Sequence, residues 1–126
     1  MVLAFYYGSY MDPDVLRRFG AQPGEPRRAQ LHGWRLAYTP HANLVPGDDV
    51  VEGVVYDLPQ EVLDRLYGPE GFVTTYAPVS IEIDGVSMQT FVEDADEAVP
   101  DAEYKANLRA IMEKVGLPPD YIEAVT

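Results

Sequence analysis

Few side chains in this sequence have the type and spacing for nucleophilic or metal chemistry. Ser9 follows Gly8, and a serine nucleophile needs a base and a shaped elbow to present its oxygen. The Gly-x-Ser-x-Gly pattern is absent, because Met11 stands where the second glycine belongs. The only histidines, His32 and His41, form no His-x-x-x-His pair, and neither has a spacing that brings it to Ser9. Both read as satisfied or exposed imidazoles. There is no cysteine, which excludes disulfides, thiolate nucleophiles and Cys-based zinc or iron–sulfur centres. Asp94-x-Asp96 resembles the start of a calcium loop, but Ala98 takes the third ligand position and no glycine follows; the segment reads as a solvated acidic loop.

Two other features carry more. Tyr7-Gly8-Ser9 stands between an apolar strand and a capped helix. Such a turn exposes consecutive backbone N–H groups, a nest for a carboxylate or an oxyanion, and the same pattern also describes a plain tight turn. Glu70 sits between Pro69 and Gly71, beside the apolar Leu66, Tyr67 and Phe72. Partial burial there raises a carboxylate's pKa and makes it a better base near neutral pH, whereas a turn glutamate in solvent does nothing of the kind.

The elements that must position these residues follow from local signals. Residues 2–7 are apolar and aromatic, a buried strand ending at Gly8. Asp12-Pro13 opens a short helix with Val15, Leu16 and Phe19 inward, stopped at Gly20. Residues 21–27 read as a loop and Ala29 to Tyr38 as a strand interrupted by Pro40. Asn43 to Pro46 reads as a short extended piece, Gly47-Asp48-Asp49 as a turn, and Val50 to Leu58 as a strand. Pro59 begins a helix bearing Val62, Leu63 and Leu66, closed by Gly68, and Gly68 to Gly71 follows as a turn. Tyr76 to Ile83 and Ser87 to Val92 flank Asp84-Gly85-Val86, a hairpin signal. Glu93 to Pro100 is an acidic loop. Asp101 caps a helix to Val115 with one stripe of Tyr104, Leu108, Ile111, Met112 and Val115, and a last helical turn follows near Pro119 to Ala124. Strands without intervening helices make the class α+β, with a mixed or antiparallel sheet able to curl into a small barrel.

The chain has 126 residues, the length of one domain spanning 1–126. No stretch approaches the run of about 18 apolar residues that a membrane span needs, and the apolar N-terminus reads as a strand rather than a signal peptide. No membrane partner and a cytoplasmic location are expected. The net charge of -12 argues against nucleic acid, whose binding needs clustered cations. Arg17-Arg18 and Arg27-Arg28 are the only basic clusters and read as solvated surface. On so acidic a chain, an anionic ligand needs positive potential made locally by backbone N–H groups.

In order along the chain, these segments resemble the gamma-glutamylcyclotransferase-like family. Phe5-Tyr6-Tyr7-Gly8-Ser9-Tyr10-Met11 is similar to its Tyr-Gly-Ser-Asn-(Leu/Met) signature, and Leu31-His32-Gly33-Trp34-Arg35-Leu36 to its Leu-x-Gly-(Tyr/Trp)-Arg-Leu strand. Asn43-Leu44-Val45-Pro46, Val51 to Tyr56, Leu63-Asp64, Glu70-Gly71 with Tyr76 downstream, Tyr104 and Gly116 to Tyr121 follow in the family's order. The resemblance implies a small mixed β-barrel with flanking helices. It also implies a cofactor-independent reaction, in which the α-amine of a γ-glutamyl group attacks its own γ-carbonyl to give 5-oxoproline and a free amine or amino acid. Glu70 is then the general acid/base. The backbone at Tyr7, Gly8, Ser9 and Tyr10 holds the substrate's α-carboxylate or the developing oxyanion, and Tyr104 and Tyr76 are further substrate-binding positions. The partner is the small γ-glutamyl substrate, on a monomer or homodimer. Tyr10 stands where the signature has asparagine. That departure leaves open a different leaving group, or an inactive homologue acting as a small-molecule binding or interaction module.

Overall fold

Five strands form one sheet in the order β2-β3-β1-β5-β4. The structure is a computed structural model that describes residues 1–67 and 75–126. The strands are β1 (Val2–Tyr6), β2 (Arg27–Tyr38), β3 (Ala42–Leu58), β4 (Tyr76–Ile83) and β5 (Val86–Glu93). Around them lie α1 (Pro13–Arg18), α2 (Gln60–Tyr67), α3 (Ala102–Lys114) and α4 (Pro119–Val125). The sheet is mixed: β1 pairs in parallel with β5 and antiparallel with β3, and the other pairings are antiparallel. The two edge strands, β2 and β4, come into contact, so the sheet curls into a half-barrel. None of the described helices is long and apolar enough to cross a membrane.

Local chemistry sets most boundaries. The Asp12 carboxylate accepts from the Asp14 N–H to cap α1, and Asp101 does the same for α3 through Glu103. Asp84 (φ 51) and Gly85 (φ 79) both take the left-handed backbone that a two-residue hairpin needs. The inward stripe of α3 buries Leu108, Met112 and Val115 and leaves Tyr104 and Ile111 half-buried. Lys114, at the end of α3, sits 2.7 Å from both Asp12 and Asp14 and ties that helix to α1.

The expected turn at Gly47-Asp48-Asp49 is instead a bulge inside the 17-residue strand β3. His32 pairs with Val50 and Trp34 with Pro46, so Gly33 alone faces Gly47, Asp48 and Asp49. Turns and bulges select the same residues, and pairing on both sides keeps the strand continuous here. The chain reverses earlier, where the Thr39 N–H donates to the His41 carbonyl at 2.8 Å across Pro40, a residue with no N–H to continue a ladder. Glu93 belongs to β5 rather than to the acidic loop.

β1 stops at Tyr6 while both its neighbours run on. β3 keeps pairing with β2 back to Ala42, and β5 continues to Glu93. Asn43 spans the space between them. Its Nδ2 donates to the Glu93 carbonyl (2.7 Å) and its Oδ1 accepts from the Glu93 N–H (3.0 Å), as a neighbouring strand would. The same oxygen accepts from the Leu44 N–H at 2.9 Å, and the side chain is fully buried.

Candidate active site

Where β1 leaves off, the chain turns away through Tyr7-Gly8 into a short 3₁₀ turn, Ser9–Met11. The turn closes through Met11 N–H to Gly8 O (3.0 Å) and Asp12 N–H to Ser9 O (3.2 Å). These bonds do not engage the N–H groups of Gly8, Ser9 and Tyr10, as at any helical N-terminus. Tyr7, Gly8, Ser9 and Tyr10 line a cavity of about 330 Å³ together with Tyr76 of β4 and Tyr104 of α3. All six positions expected to bind substrate therefore share one wall system. Tyr6, His41, Ala42, Tyr67 and Phe91 complete the described lining.

One set of lining residues is rich in hydroxyls, held by specific partners. The Tyr104 hydroxyl accepts from the Ala42 N–H at 2.8 Å, which leaves its own proton to donate. The Tyr76 hydroxyl donates to the Ala42 carbonyl at 2.7 Å, which leaves its lone pairs to accept. Tyr7 donates to the Phe91 carbonyl at 2.5 Å. Burial raises the pKa of all three phenols. The nearby Tyr76, Tyr104 and Glu93 add to the rise at Tyr7, and the Ala42 N–H and the Ser9 hydroxyl oppose it at Tyr104. These groups stay protonated at neutral pH, so none of them takes a proton from an ammonium. The His41 ring lies 4.7 Å from that of Tyr104 at the exposed side. His41 thus shares the cavity with Ser9, contrary to the sequence expectation; the hairpin turn carries it there, and a linear spacing does not show that.

A second set is made of packed rings. Tyr67 of α2 stacks on Phe91 of β5 with centroids 3.8 Å apart and planes 9° apart. Tyr10 meets Tyr6 (5.8 Å), Tyr67 (5.7 Å) and Phe19 (6.1 Å) edge-to-face. Burial pushes the Tyr10 hydroxyl up to about 12. The buried Tyr6 and Tyr10 hydroxyls have no hydrogen-bond partner among the described residues, and Tyr67 lies beside Tyr6 without reaching that geometry.

Glu70 lies outside the described residues. Glu93 is a second carboxylate that the sequence reading left in the acidic loop. Its side chain accepts from Thr39 and Thr75 hydroxyls, both at 3.0 Å, and stands close enough to raise the Tyr76 pKa. The signal available in sequence was tyrosine abundance: of nine tyrosines, six line this cavity. Among the described residues no group of three His, Asp or Glu side chains is placed to hold a metal ion.

Residues 4–107 match the family model described as gamma-glutamyl cyclotransferase, AIG2-like, and the chain belongs to that family. Its fold and family make it gamma-glutamyl cyclotransferase-like. Among solved structures, YkqA from Bacillus subtilis is similar over 98% of this chain, with 28% identity and a TM-score of 0.78. This chain covers 52% of the YkqA chain, about half its length. A structure described as gamma-glutamyl cyclotransferase matches at 20% identity and TM-score 0.77, covering 98% of this chain and 85% of its own. The uncharacterized protein loc79017 from Homo sapiens matches at 23% and 0.76 with the same coverages. The latter two likenesses show the fold alone. No curated protein matches the chain.

Proposed function

We propose that this protein is a cofactor-independent γ-glutamyl cyclotransferase, converting a γ-glutamyl amine or amino acid into 5-oxoproline and the free amine or amino acid. The observation that supports this most is the single cavity joining the Tyr7–Tyr10 turn to Tyr76 and Tyr104, on a chain of the cyclotransferase family. The substrate's α-carboxylate takes the N–H groups at the start of the turn, which supply positive potential locally on a chain of net charge -12. Tyr104 has a proton to offer the γ-carbonyl oxygen as negative charge develops there, and Tyr76 has lone pairs to accept from the substrate's nitrogen.

The base is not one of these phenols, which are held protonated. Glu70 fills that role by family resemblance, and Tyr67, three residues before it, and Tyr76, six after it, both line the cavity. Glu70 takes a proton from the α-ammonium. The freed amine attacks the γ-carbon, and a C–N bond closes the five-membered ring. Glu70 returns the proton to the leaving nitrogen as the original amide bond breaks, and the second proton shed by the ring nitrogen ends on the released amine as its ammonium, so no water is consumed. Holding the chain folded for ring closure supplies much of the acceleration, since the attack is intramolecular.

Glu70→Gln tests the assignment. It should lower 5-oxoproline release by about 10²–10⁴-fold while calorimetry still detects substrate binding. Turnover at the wild-type rate contradicts the mechanism. Tyr10 in the signature's asparagine position favours a second reading, a binding module without turnover. Heat of binding by the wild-type protein with no product would support it.

A further inference from the structure

The cavity lining divides into a hydroxyl set around Ala42 and a set of packed rings, and this division bears on the leaving group. Resting on the cyclotransferase reading, we propose that the amine released carries an uncharged, apolar substituent with no carboxylate, and that Tyr10 sets this preference. On that reading the glutamyl α-carboxylate takes the N–H groups of the Gly8–Tyr10 turn. A leaving amino acid brings a second carboxylate. The described lining of the cavity holds neither lysine nor arginine to receive it.

Besides His41 and Ala42, the remaining described wall is the ring cluster of Tyr6, Tyr10, Tyr67 and Phe91, packed edge-to-face and stacked on one another. Ring faces carry negative potential, and an apolar surround gives a carboxylate nothing in exchange for its water. An aromatic or branched aliphatic group instead gains area burial and ring contacts there. The volume of about 330 Å³ suits a ligand of that size. Tyr10 is the one ring of this cluster that stands where the signature has asparagine. Its ring packs on three others, while its hydroxyl, buried and without a partner among the described residues, contributes none of that packing.

Three probes separate the chemistries: γ-glutamylphenethylamide, γ-glutamylphenylalanine (the same ring with a carboxylate) and γ-glutamylputrescine (a cationic tail). The phenethylamide should exceed both others in kcat/KM by about tenfold or more, the scale of one good ring contact or one undesolvated charge. Tyr10→Asn should remove that advantage, and Tyr10→Phe should restore it. Equal or faster turnover of either charged probe overturns the proposal, as does a preference unchanged in Tyr10→Asn. If no probe yields 5-oxoproline, the cyclotransferase reading fails, and calorimetry with the same probes decides the subsite alone. Tighter binding of the phenethylamide, lost in Tyr10→Asn, upholds the proposal; equal binding or none overturns it.

Discussion

Replacing Asn43 with alanine removes the side chain that stands in for a strand where β1 ends. Three backbone groups lose their partner: the Glu93 N–H, the Glu93 carbonyl and the Leu44 N–H. A buried group left unsatisfied costs about 1–3 kcal/mol. Glu93 is half-buried, so water recovers part of its loss, and about 1 kcal/mol per group gives a total of about 3 kcal/mol. With an unfolding entropy of about 2.1 cal/mol/K per residue over 126 residues, that lowers Tm by about 11 °C. Urea unfolding followed by circular dichroism measures the free energy. Hydrogen exchange should also show the Glu93 and Leu44 amides losing protection ahead of the rest of β3 and β5. A loss below about 1 kcal/mol, with protection unchanged, would mean that the three bonds carry no net stability and that the strands are held at this end by other contacts.

Two further perturbations test how the frame is held. A Cβ at Gly53 would meet the Phe5 ring at 2.6 Å and collide with the Tyr6 carbonyl, so Gly53→Ala should push β1 from β3 and destabilise by at least about 3 kcal/mol, read by the same unfolding assay. Lys114, chiefly, and Arg17 hold the Asp14 carboxyl below its ordinary 3.8, so Lys114→Met should bring its NMR-titrated pKa up toward 3.8. The sign follows from linkage: the depressed carboxylate contributes stability above pH 3.8 and loses it as pH falls through its lowered value, so wild type and variant should converge in strong acid. Asp12 and Asp14 raise the Lys114 pKa above 10.5, so the contact survives until pH climbs through that raised value.

What the sequence made legible was what local chemistry decides. The Asp12 and Asp101 caps, the Asp84-Gly85 hairpin and the inward stripe from Leu108 to Val115 each depend on residues a few positions apart. Gly47-Asp48-Asp49 was misread because a bulge and a turn recruit the same residue types, and only the pairing with His32 and Trp34 on a separate strand distinguishes them. The site divided in the same way. Motif order picked out the Tyr7–Tyr10 turn, Tyr76 and Tyr104. Tyr67, Phe91 and His41 reach the cavity from three separate elements and connections, with Glu93 buttressing Tyr76 from the strand that carries Phe91, and no spacing along the chain announces them. Asn43 looked like part of a short extended piece, yet its bonds to a residue fifty positions away help fix the end of β5.

The central claim is that the cavity closes a ring rather than adding water. Mass spectrometry of the products from a γ-glutamyl compound tests it most directly. Cyclisation predicts one 5-oxoproline and one amine for each substrate consumed, with no oxygen-18 incorporated from labelled water. Free glutamate carrying the label, or no product across a broad γ-glutamyl panel, would contradict it.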